Sequence, residues 1–189
     1  MFIRSERLFL RPGWPEDWEE LFGGIADEGV VRNLAKVPWP YGPEHAREFA
    51  TRPQDERLPH FMVTLPGAQG ARLIGCAGLG RDEAGDVELG YWIAREHWGR
   101  GYASEAARAV LRLAATLGHR RVVAGHFVDN PASGRVLVKV GFRPAGSVRR
   151  RFSLARGAEV AALAYAIELA SPCDCDPGGD DAVSAMRAA

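Results

Sequence analysis

Residues 88–106, ELGYWIAREHWGRGYASEA, decide how this chain is read: an apolar strand runs into a loop holding Gly99 and Gly101 and then into a helix. From Tyr102 to Leu117 the apolar residues Ala103, Ala106, Ala107, Val110, Leu111, Ala114 and Leu117 recur at helical spacing, and Gly118 supplies a stop. Strand, glycine turn and helix N-terminus form an anion-binding arrangement, because glycines leave backbone N–H groups unobstructed and the helix adds the positive end of its dipole. A phosphate or pyrophosphate is the expected occupant. A nucleotide P-loop requires Lys and Ser or Thr after the last glycine, whereas Gly101 is followed by Tyr102 and Ala103. A dinucleotide fingerprint requires an acid about twenty residues on, where Arg121 stands.

Working outward, Arg7 to Pro12 reads as a first strand and Pro15 to Ile25 as a helix, with Glu16 and Asp17 in its first turn. Lys36 to Pro43 holds three prolines with Trp39 and Tyr41, an irregular segment suited to wall a substrate pocket, and a short helix follows from Glu44 to Ala50. Phe61–Leu65, Ala71–Leu79 and Asp86–Ala94 read as an antiparallel meander. Arg121–Val128 reads as a strand and Pro131–Val140 as a helix. A pair of strands turning near Arg156-Gly157 completes the order, the last over Glu159–Ile167. This sequence of elements predicts an α+β domain with a mixed, mostly antiparallel sheet flanked by helices. Residues 1–170 form that single domain, and residues 171–189, rich in Asp, Gly and Pro, form a tail too polar to order.

The 189 residues carry 24 Lys plus Arg against 24 Asp plus Glu, so no global field draws nucleic acid or an acidic membrane, and an anionic ligand must be held locally. Arg4, Glu6 and Arg7 interrupt the apolar core a signal peptide would need, and no run is long enough to span a bilayer. Cys76 lies in an apolar stretch, and Cys173 and Cys175 are too close for an ordinary bridge, which fits a reducing cytoplasm. No metal ligand set is evident. Trp14, Trp18, Trp39 and Trp92 read as packing residues, and Arg149-Arg150-Arg151 as a solvated strand end.

The run Trp98-Gly99-Arg100-Gly101-Tyr102-Ala103 resembles the Q/R-x-x-G-x-G/A acetyl-CoA signature of the GNAT N-acetyltransferases, with Trp98 at the position usually held by Gln or Arg. Asn130-Pro131-Ala132-Ser133 followed by Lys139-Val140-Gly141-Phe142 resembles the superfamily's N-x-x-S…K-x-G-F segment, and Ser5 to Pro12 with Asp17 is similar to the opening of its ribosomal-protein alanine acetyltransferase branch. The resemblance spans about residues 3–168 and implies a three-layer α/β/α fold and acetyl-CoA as co-substrate.

It further implies that backbone amides of Gly99, Arg100, Gly101, Tyr102, Ala103 and Ser104 grip the pyrophosphate, with Arg95 and Arg100 as charged partners. A bulge in Tyr91–Ala94 would free an amide near Ile93 or Ala94 for the thioester, and Asn130 would bond the pantetheine arm, while also suiting a helix N-cap before Pro131. Acetyl transfer needs a neutral amine and a protonated leaving thiolate. Glu88 is the candidate base, with a strand-end ion pair as its other reading and His126 as a second candidate. Leu137 fills the position of the tyrosine acid many relatives use, so Ser133 is the candidate acid. A protein N-terminus is the leading acceptor. A small-molecule amine (aminoglycoside, polyamine or amino-acid-like metabolite), a non-catalytic acyl-CoA-binding module and a homodimer remain open.

Overall fold

Alternation along the strands sorts apolar side chains onto the two faces of one sheet. In this computed structural model, which describes residues 1–170 apart from Gln69 and Ser147, the first half contains β1 (Ile3–Arg4), β2 (Phe9–Arg11), α1 (Trp18–Ile25), α2 (Glu28–Val31), α3 (Pro43–Ala50), β3 (His60–Gly67) and β4 (Gly70–Arg81). The second half contains β5 (Val87–Ile93), α4 (Tyr102–Thr116), β6 (Arg121–Phe127), α5 (Pro131–Lys139), β7 (Arg143–Pro144), β8 (Arg149–Ser153) and β9 (Ala158–Glu168). The tail expected over 171–189 lies outside the described residues.

The nine strands form one sheet in the order β1-β2-β3-β4-β5-β6-β9-β7, with β8 also on β9, and every pairing is antiparallel except β5 with β6. Phe61 and Val63 point to the face covered by α4, where they meet Leu89, Ile93 and Val110. Met62 points to the opposite face and packs with Leu21, Val30 and Trp92 beneath α1 and α2. Helices therefore cover both faces, as the three-layer reading expects, and alternation over β3 and β5 is the local cause.

Two ion pairs fasten the N-terminal segment. Arg11 grips Asp17 through two bonds of 2.7 and 2.6 Å, both side chains buried, and Asp17 also accepts the Trp14 amide. Arg7 bonds Glu105 in the first turn of α4. The β1 strand and α2 were absent from the sequence reading; two and four residues give too short a run for a period to register.

The parting of β5 from β6 opens the middle of the sheet. These two parallel strands share a single register pair, Glu88 with Val123. Beyond it β6 continues with β9 and β5 with β4, so the two diverge like a V. The expected bulge over Tyr91–Ala94 does not occur: β4 and β5 keep unbroken register from Arg81↔Val87 to Gly75↔Ile93. The register shift lies instead between β3 and β4, at Val63/Thr64.

Candidate active site

Divergence of β5 and β6 frees backbone groups that a continuous sheet would consume. Ala94 donates its amide to the Ile74 carbonyl at 2.8 Å, which fixes the phase of the antiparallel ladder. Alternate residues Trp92 and Gly90 then bond β4, and the amides of Ile93 and Tyr91 point the other way, into the V. The amide expected from a bulge is thus supplied at Ile93 by splaying, and not at Ala94, whose N–H is spent. The Ile93 carbonyl is occupied: Trp98 Nε1–H donates to it at 2.6 Å. The V leads into a cleft of about 1200 Å3 that runs from Gly99 and Gly101 past Ser133 to Glu88.

At one end of the cleft lies the glycine turn. Gly99 and Gly101 adopt φ of 74° and 81°, in the left-handed region that favours glycine, and a Cβ on Gly99 would meet no atom within 4 Å. The first intrahelical bond of α4 runs from Glu105 N–H to the Gly101 carbonyl at 3.1 Å, so the amides of Tyr102, Ala103 and Ser104 precede it and are left for a ligand. Glu105 would place a negative charge beside an anion, but Arg7 neutralises it, bonding Glu105 through Nε at 2.8 Å and the backbone amide at 2.7 Å. Burial raises the Glu105 carboxyl, and the Arg7 and Ser5 hydrogen bonds more than offset it, leaving a net depression. Arg7 also donates to the Arg100 carbonyl at 3.0 Å and covers the Tyr102 ring. Of the predicted cofactor residues, Arg100 and Ala94 do not line the cleft; Ile93, Arg95, Gly99, Gly101, Tyr102, Ala103, Ser104 and Asn130 do. Arg95 lies 3.4 Å from Asp27. Arg135 and Lys139 of α5 add cations to the lining that sequence reading did not assign to the site.

Asn130 caps α5 by accepting the Ser133 amide, with Pro131 in the first turn, so the N-cap reading holds and its amide nitrogen remains as a donor. Ser133, one turn along, lies 2.8 Å through Oγ from the Tyr91 hydroxyl, which also reaches the Ser133 carbonyl at 3.3 Å. Burial pushes the Tyr91 phenol up to about 12, against the pull of the Ser133 bond. Neither this tyrosine nor its pairing was visible in the motif reading, since it stands in a strand that reads as packing.

Glu88, at the closed end of the V, is held by Arg151 in two bonds of 2.6 and 2.9 Å. Arg151 is therefore no solvated strand end: β8 carries it back over β9 to the cleft, and the pairing with Glu88 raises its pKa against the effect of burial. His126 is buried under α5, where a Cβ on Gly134 would lie 2.6 Å from its Nε2. Its Nδ1 donates to the Phe127 carbonyl at 2.8 Å and its Nε2 faces the Tyr165 hydroxyl at 3.4 Å, a structural bonding pattern. Across the cleft, Tyr41, His45, Phe49 and His60 form an aromatic wall, and Pro38 and Tyr41 from the proline-rich loop line it while Trp39 does not. Burial, then the nearby Arg52 charge, lowers the His60 pKa. Asp129, beside Asn130, is gripped by Arg156 at 2.8 and 3.0 Å and by Arg32 at 3.1 Å. Among the described residues no group of three or more His, Cys, Asp or Glu could hold a metal ion, and no helix is long and apolar enough to cross a membrane.

Comparison with known proteins agrees with this geometry. Residues 7–143 match the family described as "Acetyltransferase (GNAT) domain". The uncharacterized N-acetyltransferase YoaA of Bacillus subtilis is 30% identical over 156 residues, 78% of this chain and 86% of that protein. The ribosomal-protein-serine acetyltransferase of Escherichia coli is 37% identical over 65 residues, 34% of this chain and 36% of that protein. In three dimensions the chain is similar to an acetyltransferase (GNAT family) from Bacillus anthracis, with a TM-score of 0.75, 26% identity and coverage of 89% of this chain and 98% of that one. A family match over most of the chain, a relative aligned along most of its length and a splayed sheet beside a glycine turn lead to one conclusion: the chain belongs to the GNAT family of acetyl-CoA-dependent N-acetyltransferases.

Proposed function

We propose that this enzyme acetylates the α-amino group of a protein or peptide N-terminus. The observation that carries the reading is the continuity of the cleft, which joins the α4 N-terminus to the Ile93 amide, Ser133 and Glu88 in one open channel. In this reading the amides of Gly99 to Ser104 bind the pyrophosphate, Arg95, Arg135 and Lys139 supply charge around it, and Asn130 meets the pantetheine arm. The Ile93 amide polarises the thioester carbonyl as the amine attacks. Ser133 then gives its proton to the leaving thiolate.

Glu88 acts on the amine through water. Both its oxygens accept from Arg151, which fixes the carboxylate while leaving each oxygen a further lone pair. A water held there takes the proton that the amine sheds. The half of the cleft beyond Glu88 receives the acceptor; its openness and its wall of Tyr41, His45, Phe49 and His60 suit a chain end with a flexible continuation. The similarity to the Escherichia coli ribosomal-protein-serine acetyltransferase, short as it is, supports a peptide acceptor. Cys76, buried and unbridged, suits a reducing cytoplasm.

Mass spectrometry of a peptide library, mixed with aminoglycosides, polyamines and amino acids and incubated with acetyl-CoA, tests the acceptor. Acetyl groups on peptide α-amines support the reading. Acetyl groups confined to small amines replace it with the small-molecule alternative.

A further inference from the structure

The Tyr91 hydroxyl is the only one in β5, the strand that also presents the Ile93 amide to the V, and it ends at Ser133 on α5. Two hydroxyls 2.8 Å apart share their protons in one of two ways. If serine donates to tyrosine, the serine proton is engaged there and is not available to a ligand. If tyrosine donates to serine, the serine proton is free to point into it. The Ser133 carbonyl, 3.3 Å from the same phenol oxygen, offers its lone pairs on the same side and keeps the tyrosine proton directed at Ser133.

We propose that Tyr91 is the positioning residue that turns Ser133 into a proton donor for the CoA thiolate and restores its proton afterwards, an inference that rests on the assignment of the cleft to acetyl-CoA. As the C–S bond breaks, its electron pair stays on sulfur, which takes the Ser133 hydroxyl proton. Tyr91 passes its proton to Ser133 Oγ at the same time. The proton shed by the amine nitrogen, taken first by the water at Glu88, passes on through water to refill the phenolate, so the products are an amide and a thiol and both hydroxyls and the Glu88 water are restored. Burial, which holds the phenol protonated far above neutral pH, ensures that Tyr91 enters each cycle as a donor.

A clamp between β5 and α5 with no chemical part would show itself as lost stability and nothing more, so the test reads the thiol itself. Bound CoA is titrated by the ultraviolet absorption of its thiolate in the wild type, Tyr91→Phe, Ser133→Ala and the double variant, and each is assayed for turnover. The proposal requires a bound thiol more acidic than free CoA in the wild type, because a serine O–H donates to the thiolate. It further requires a return towards the free value in Tyr91→Phe, and no further change when both residues are replaced. Turnover in Tyr91→Phe should fall by about 10²-fold, the scale of a lost proton transfer, with KM for acetyl-CoA changed by less than about threefold. Difluorotyrosine at position 91, which keeps the shape and acidifies the phenol, should move the alkaline limb of the pH profile downward and serves if Tyr91→Phe does not fold. Wild-type titration in Tyr91→Phe, an unmoved alkaline limb, or additive shifts from the two single variants overturns the proposal alone. Failure of CoA to bind the wild type would instead overturn the assignment of the cleft, and the proposal with it.

Discussion

Trp98 donates its indole N–H to the Ile93 carbonyl at 2.6 Å, tying the glycine turn to the last residue of β5. The side chain is otherwise half exposed, so this bond is its main tie to the fold. It gives the position occupied by Gln or Arg in the usual signature a separate purpose: in the proposed reading, Trp98 holds the turn whose amides would meet the pyrophosphate against the strand whose Ile93 amide would meet the thioester.

Trp98→Phe keeps the ring and deletes the donor. Acetyl-CoA affinity, measured by titration calorimetry, should fall by about 3- to 10-fold, as expected for the loss of one hydrogen bond of about 1 kcal/mol and a loosened turn. Unchanged affinity would show that the turn holds its shape without Trp98.

Gly101→Val forces a β-branched residue into φ of 81°. The backbone cost is about 1–2 kcal/mol, a fall of roughly 2–8 °C in melting temperature, because the branched side chain is poorly suited to that region. Acetyl-CoA binding should be lost by a far larger factor, since the turn that aims the α4 amides would shift and the new side chain would crowd Arg7, whose Nη2 lies 3.5 Å from a Cβ there. Calorimetry beside a thermal melt separates the two effects.

The parts of this site legible in the sequence are those whose signal is local. Gly99 and Gly101 before a helical period, and Asn130-Pro131 before another, state their backbone roles within a few residues. Tyr91 with Ser133, Glu88 with Arg151 and Arg7 with Glu105 are separated by 42, 63 and 98 residues, and only the folded sheet brings them together. The V itself was missed for the same reason. A strand that parts from its neighbour has the same alternation as one that stays paired, so a bulge seemed necessary where splaying suffices.

Glu88→Gln keeps the shape of the side chain and removes its charge. Turnover at neutral pH should fall by about 10- to 100-fold while acetyl-CoA affinity changes by less than about twofold, as the proposed action of the carboxylate on the amine requires. Arg151→Met should lower turnover in parallel if the ion pair works as a unit. Turnover in Glu88→Gln equal to wild type would assign the proton to water alone.

Glu105 links stability to pH. Its carboxyl is depressed in the folded protein, so its ionised form contributes stability above the ordinary glutamate range, and that contribution is lost as pH falls through the folded value. Glu105→Gln should therefore lower the melting temperature at neutral pH, by an amount equivalent to about 1–2 kcal/mol, and the two proteins should converge in acid. A gap that stays constant with pH would mean that packing, and not the Arg7 and Ser5 bonds, sets the contribution of Glu105.

Release of free CoA thiol from acetyl-CoA, followed continuously with and without N-terminal peptides and small amines, tests the central claim most directly. The account predicts amine-dependent release in the wild type and its loss in Gly101→Val. Acetyl-CoA that binds in the cleft yet yields no thiol with any amine would contradict it, and would leave a binding module in place of an enzyme.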